Sequence, residues 1–196
     1  ANIAPPHRNF DIHMKKFSEF LPNADSIQVP EYLADTPEMR QDLRKYYGSV
    51  QLADACAGAI IETLKKKGVY ENTLIIYTGD QGEPYHRAKA SAYYAGLHVP
   101  FVVAGPHVKK NKLSESLVSL IDVMPTILDF LGINIPQTVQ GESLIPILNG
   151  KAASVKGRTY VFGEHNSHGP DVREHYPSRM VFDGKYYYIR NLMPNK

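Results

Sequence analysis

The sequence is poor in the features that usually advertise a protein's chemistry. It holds one cysteine, Cys56, so no internal disulfide framework can form, and cysteine usage leaves the redox compartment open. No run approaches the roughly 20 apolar residues of a membrane-spanning helix, so no membrane partner is expected. Basic and acidic residues nearly cancel, 22 against 20, for a net charge of +2. That balance argues against a nucleic-acid partner, because such proteins carry a marked basic excess. No internal repeat or low-complexity tract interrupts the chain. No secretory signal is visible at Ala1, and the start without Met leads us to expect processing or fragmentation of a longer parent. What remains is ordinary globular composition: 196 residues, 43% apolar and 21% charged.

Order emerges along the chain from local signals. Residues 1–34 read as irregular, punctuated by Pro5, Pro6, Pro22 and Pro30. A helix then starts at a plausible N-cap, Thr36, with Pro37 at the first helical position and Glu38 at the positive end of the dipole. Leu43, Tyr47, Val50, Ala57, Ile61 and Leu64 recur at helical spacing and draw one stripe. Asp54 falls in that stripe and is expected to be buried and hydrogen-bonded, with Cys56 a core thiol. Lys65-Lys66-Lys67-Gly68 supplies cations and a glycine to end the helix.

Thr73–Thr78 is apolar and β-branched without alternation, which suits a strand covered on both faces in a parallel sheet. Val99–Ala104 repeats the pattern. A second helix is expected after Asp122 as its cap, with Pro125 in the first turn and Gly132 at the end, and a helical turn over 143–148. After about residue 157 the style changes. Tyr160–Phe162 reads as a strand, and Asp183-Gly184 between Met180–Phe182 and Lys185–Ile189 is the signal for a type I′ hairpin. The expected class is therefore α/β: a mainly parallel sheet flanked by helices over 1–156, then an antiparallel subdomain over 157–196, cut short at Lys196.

Between the two apolar strands lies GDQGEPYHRAKASAYYAG, from Gly79 to Gly96. Connections in α/β proteins run to about 2–6 residues, so this one is long as well as chemically biased. Ligands in open α/β sheets bind beyond the carboxyl ends of strands, where Asp80 and Gln81 stand. A carboxylate beside an amide oxygen is hard-oxygen ligation, suited to Ca²⁺ or Mg²⁺. Turn formation alone would also explain Asp and Gly here. Arg87 and Lys89 would bind a phosphate or sulfate beside such a cation, or would form a solvated basic loop.

The ordered motifs YYGSVQLADACAGAIIETLKKKGVYENTLIIYTGDQG, RAK, HVPFVVAGP, SLIDVMPTILDFLGI and QGESLIPIL resemble the C-terminal half of a sulfatase, within the alkaline-phosphatase-like superfamily. PPHR at 5–8, the D-x-G-x-P opening of the loop and the VFGEHNSHG…YPSRM tail narrow the likeness to the N-sulfoglucosamine sulfohydrolase type. The resemblance implies that Asp80 and Gln81 are metal ligands, Gln81 standing where the family usually has Asn or His. It implies that Lys89 contacts the sulfuryl group, that His7 is the active-site histidine near the leaving group, and that His168 reaches the substrate pocket. Arg87 is a further candidate for substrate binding.

The same resemblance implies a Ca²⁺-dependent hydrolase of sulfate esters or sulfamates on sulfated saccharides, with a formylglycine nucleophile made from a C-x-P-x-R cysteine. A periplasmic, secreted or lysosomal location follows from the family. Cys56 lacks the Pro and Arg of that motif, so the nucleophile is expected before Ala1 and this chain is expected to be inactive alone. An incomplete sheet would leave apolar surface for self-association. Two other readings stand beside this one: a phosphodiesterase or phosphonate hydrolase of the same superfamily, and a non-catalytic pseudoenzyme or carbohydrate-binding module, to which the Gln81 departure points.

Overall fold

A computed structural model describes residues 10–168 and 175–195. The chain forms two compact units. One comprises the chain up to Glu71 together with Gly79–Val99, and the other comprises Asn72–Thr78 with the chain from Pro100 onward.

The first unit is built on a long helix. Its opening segment, expected to be irregular, folds into a helix α1 (Phe10–Lys16) that buries Phe10 and Met14. Those two residues lie four apart and so share a helical face, but no capping residue announces them. Helix α2 (Pro37–Lys66) begins as its sequence requires: the Thr36 hydroxyl accepts the Met39 amide at 3.2 Å and Pro37 occupies the first turn. It ends at Lys67, and Gly68 takes the left-handed φ of +69° that favours glycine.

The buried positions of α2 are Leu43, Gly48, Ser49 and Leu52, all in its first half or just beyond. Asp54 is therefore exposed rather than buried, and Cys56 is half-buried rather than a core thiol. The helical stripe was legible, but a stripe does not say how much of its length finds a partner. Ile27, Leu43 and Tyr85 form the core of this unit, with Tyr46 and Tyr47 packed against it.

In the second unit, β1 (Ile75–Thr78) pairs with β2 (Phe101–Ala104). The two run antiparallel, Ile75 opposite Ala104 and Thr78 opposite Phe101, which corrects the parallel pairing expected for them. An unalternating apolar run does not fix the sense of its neighbour, and the expected cover on both faces is absent too, since no residue of either strand is buried. Here the chain leaves β1 at Thr78 and re-enters opposite it, so β2 must run back. Tyr77 and Val102, partners in this register, are both exposed.

Helix α4 (Val123–Phe130) and a short helix α5 (Ile145–Leu148) follow, with α3 (Tyr94–Leu97) earlier in the first unit. Asp122 does not cap α4 by its side chain. Fully buried, it ends a 3₁₀ turn over Leu120–Asp122 and accepts the amides of Ser119 at 2.8 Å and Glu142 at 2.9 Å. Arg158 closes the arrangement as a two-pronged partner, Nη2 lying 2.8 Å from Oδ1 while Nη1 contacts Oδ2. Burial pushes this carboxyl up. Hydrogen bonds from Arg158, then from the Glu142 and Ser119 amides, outweigh it and hold the group below the usual carboxylate range. The Thr126 hydroxyl donates to the Asp122 carbonyl and accepts the Leu144 amide, tying α4 to α5.

The chain ends in an antiparallel meander, β3 (Val161–Ser167), β4 (His175–Phe182) and β5 (Tyr187–Asn191), in that spatial order. The hairpin falls where Asp183-Gly184 placed it. Its turn differs from the expected type: Gly184 alone has positive φ (+94°), whereas type I′ needs two such residues. The Asp183 carboxylate holds the turn instead, accepting the amides of Lys185 at 2.8 Å and Tyr186 at 2.6 Å. Among the described residues, no helix is long and apolar enough to cross a membrane.

Candidate active-site loop

The Gly79–Val99 segment is closed on itself by its backbone. The Gly82 amide donates to the Gly96 carbonyl at 3.0 Å and pinches the neck. Glycine is required there by close approach: a Cβ on Gly82 would lie 1.8 Å from the Ala95 carbonyl oxygen. A Cβ on Gly96 would lie 2.4 Å from that of Ala88. Inside the neck, the Glu83 carbonyl accepts two amides, from Tyr85 at 2.8 Å and Lys89 at 2.9 Å.

Two side chains fasten this loop within its unit. Tyr85 is buried against Ile27 and Leu43, and its ring meets Tyr46 edge-on at 5.8 Å and 87°. The Glu83 carboxylate accepts the Tyr32 hydroxyl. Beyond these anchors the backbone takes an unusual course. Arg87 and Ala90 both have φ of +61°, a conformation that costs a residue with a Cβ about 1–2 kcal/mol. Such strain persists where surrounding structure dictates it, and it collects at functional sites.

The structure puts Arg87 and Lys89 inside the Gly82–Gly96 closure and Asp80 and Gln81 just before it. Asp80 stands exposed at a bend just past β1, with Gln81 half-buried beside it. Lys89 is half-buried, its amide held by Glu83. The Arg87 guanidinium lies 5.7 Å from the centre of the Tyr93 ring, within cation–π range. The other two stand elsewhere in the chain. His168 is exposed at the end of β3 in the second unit, and His7 lies outside the described residues.

Sequence reading missed Glu83, Tyr32, Tyr85 and Tyr93. Only the Gly82 and Gly96 pair carried a signal, since glycines bracketing a long loop mark close backbone approach. A surface depression of about 390 Å³, lined by Pro37, Glu38, Gln41, Asp42 and Lys45, lies on α2 and includes none of the candidates.

Asp80 and Gln81 are donors of the kind a hard cation takes, and the exposed carboxylate leaves them accessible. They are too few for a complete site. Ca²⁺ takes about 6–8 oxygens, and among the described residues no three His, Cys, Asp or Glu side chains converge as a metal cluster.

Comparison with known proteins gives this loop its context. The family model described as Sulfatase matches residues 6–133, and that described as N-sulphoglucosamine sulphohydrolase, C-terminal, matches residues 82–192. The N-sulphoglucosamine sulphohydrolase of Homo sapiens is 33% identical over 177 residues, 85% of this chain and 34% of that protein. A solved 2-O GAG sulfatase superposes with a TM-score of 0.72 at 28% identity, covering 80% of this chain and 35% of that one. The phosphonate monoester hydrolase of Silicibacter pomeroyi superposes at 0.66 and 26% identity, covering 97% of this chain and 43% of that one.

The fold is thus α/β of the alkaline-phosphatase-like class, as the sequence led us to expect. The chain belongs to the sulfatase family. It spans about a third of the length of the curated relatives it matches.

Proposed function

We propose that the chain is part of a sulfuric-ester or sulfamate hydrolase that acts on sulfated sugars, of the N-sulfoglucosamine sulfohydrolase type. The α/β part runs over 1–156 and the antiparallel subdomain begins near residue 157. The observation that carries this reading is the segment beyond β1, which bears Asp80 and Gln81 immediately before the Gly82–Gly96 closure and Arg87 and Lys89 within it. Support for the substrate class comes from the relative named N-sulphoglucosamine sulphohydrolase and from the solved 2-O GAG sulfatase.

In this reading Asp80 and Gln81 supply part of the shell of a Ca²⁺ ion, with Mg²⁺ the less suitable occupant. The bound ion supplies charge stabilisation to an anionic group. The Lys89 ammonium contacts the sulfuryl oxygens, and Glu83 fixes where that side chain starts by holding its amide. Arg87, propped on Tyr93, offers a second cation to the sugar's anionic substituents. His7 hands a proton to the departing oxygen or nitrogen, and His168 contacts the saccharide. The nucleophile, a formylglycine in this family, comes from outside the 196 residues, since the sole cysteine is followed by Ala57-Gly58. The chain alone is therefore inactive. Its working compartment is periplasmic, secreted or lysosomal.

Sulfate release from N-sulfoglucosamine tests this. The purified chain should release none. A protein joining it to an upstream C-x-P-x-R segment should release sulfate, and Lys89→Ala should remove most of that activity. Turnover by the chain alone would overturn the reading. The phosphonate hydrolase neighbour supports a second reading within the superfamily, and a phosphonate monoester hydrolysed faster than the sulfamate would decide for it.

A further inference from the structure

Lys89 leaves a backbone that is constrained on both sides. Arg87 and Ala90 take left-handed φ of +61°, so the chain turns just before and just after it. The amides of Lys89 and Tyr85 converge on one acceptor, the Glu83 carbonyl, at 2.9 and 2.8 Å. Pro84, next in the chain, has its own φ locked by its ring. Wherever the Glu83 backbone sits, the start of the Lys89 side chain follows.

What holds Glu83 comes from outside the loop. Its half-buried carboxylate accepts the Tyr32 hydroxyl, and a hydrogen bond to an ionised acceptor is roughly twice as strong as a neutral one. Tyr32 in turn belongs to a stretch fastened to helix α2 by side chains. Arg40 donates to the Ile27 carbonyl at 3.0 Å and forks onto the Asp35 carboxylate at 2.6 and 2.7 Å. The Tyr47 hydroxyl donates to the Gln28 carbonyl at 3.2 Å. Between these ties the Leu33 amide closes a turn on the Pro30 carbonyl at 2.9 Å. Tyr32 therefore sits in a braced turn, and all of these residues belong to the same compact unit as the loop.

We propose that Tyr32 is a positioning residue for Lys89, acting through Glu83. Helix α2 braces the Tyr32 turn, the Tyr32 hydroxyl fixes the Glu83 side chain, and the Glu83 carbonyl fixes the Lys89 amide. The ammonium is delivered to its anionic partner from that point. The inference rests on the contact with the sulfuryl group proposed for Lys89. A second anchor separates orientation from folding here. The Tyr85 ring, buried against Ile27 and Leu43, keeps the loop attached when the Tyr32 bond is lost. Loss of the hydroxyl should therefore let the Glu83 carbonyl drift without releasing the loop. Drift is enough to matter, because a misplacement of about 1 Å can cost about a hundredfold in rate.

A double-mutant cycle on sulfate release from N-sulfoglucosamine is the test, in the protein that joins the chain to its upstream segment. Tyr32→Phe removes one oxygen and keeps the ring. It should lower kcat and kcat/KM together, by about ten- to a hundredfold, as loss of an interaction made in the transition state does. In a Lys89→Ala background the same change should have little further effect. Glu83→Gln keeps an oxygen for the hydroxyl and should retain most of the activity, whereas Glu83→Ala should match Tyr32→Phe. Hydrogen exchange over residues 84–90 reports the anchor without turnover. It should quicken in Tyr32→Phe and stay unchanged in β3–β5. Full activity in Tyr32→Phe, equal losses with and without Lys89, a Glu83→Gln as impaired as Glu83→Ala, or unchanged exchange over 84–90 would overturn the proposal. Quickened exchange together with full sulfate release by Lys89→Ala would instead overturn the role proposed for Lys89 and uphold the anchor.

Discussion

The Gly79–Val99 loop and the Asn72–Thr78/Pro100–Lys196 unit are held in different ways. The loop has one short helix and otherwise relies on single contacts: the amide of Gly82, the twice-used carbonyl of Glu83, the buried ring of Tyr85. The other unit has strand ladders and one buried ion pair that gathers Ser119, Glu142 and Arg158 around Asp122. A ladder spreads its cost over many equivalent bonds. A loop closed at a few points concentrates it, and can hold Arg87 and Ala90 in left-handed conformations that no ladder would tolerate. The difference separates a region that stores geometry from one that stores stability.

Removing one partner of the buried pair should have the largest effect. Asp122→Ala leaves Arg158 short of its partner and should cost about 3–5 kcal/mol in denaturant unfolding. Replacing both by apolar residues of like volume should recover much of that loss. If Asp122→Ala costs no more than a surface change, the contrast between the units fails.

Acid should act on the same pair. A carboxyl held below its usual range contributes stability that is complete above the unfolded-state value, and loses it as pH falls through the lower folded value. Melting of this unit should thus be flat from neutral pH to about 5 and fall below about pH 4. In Asp122→Asn that acid limb should shrink.

Gly82→Ala comes next. The added carbon meets a backbone oxygen that cannot rotate away, so the neck must open at a cost of about 1–3 kcal/mol. Hydrogen exchange should quicken within 82–96 and stay unchanged in β3–β5. Exchange rising equally in both regions would show that the loop is not a separate structural unit. The smallest effect belongs to Ala90→Gly. Relief of the left-handed strain exceeds the extra unfolded-state entropy of glycine only slightly, for a gain of about 0.5 kcal/mol or less in thermal unfolding.

What the sequence revealed follows the same divide. Helix α2 was legible because Thr36, Pro37 and Gly68 act on backbone within a turn of themselves, and the hairpin because Asp183-Gly184 does likewise. The sense of β1 against β2 was not, since the bonds that decide it lie at the far side of a long excursion. In the loop, residue chemistry picked out Asp80, Gln81, Arg87 and Lys89. Nothing local to Glu83 foretells Tyr32, which reaches it from a distant stretch of chain. The burial of Asp54 was misjudged because periodicity names a face and not its partner.

Because Thr78 and Phe101 stand opposite one another, the intervening chain departs and returns through a single gate. A short turn could span that gate. Insertions or deletions within the excursion can therefore change its chemistry without altering the register of the strand pair, provided Tyr85 keeps its place against Ile27 and Leu43.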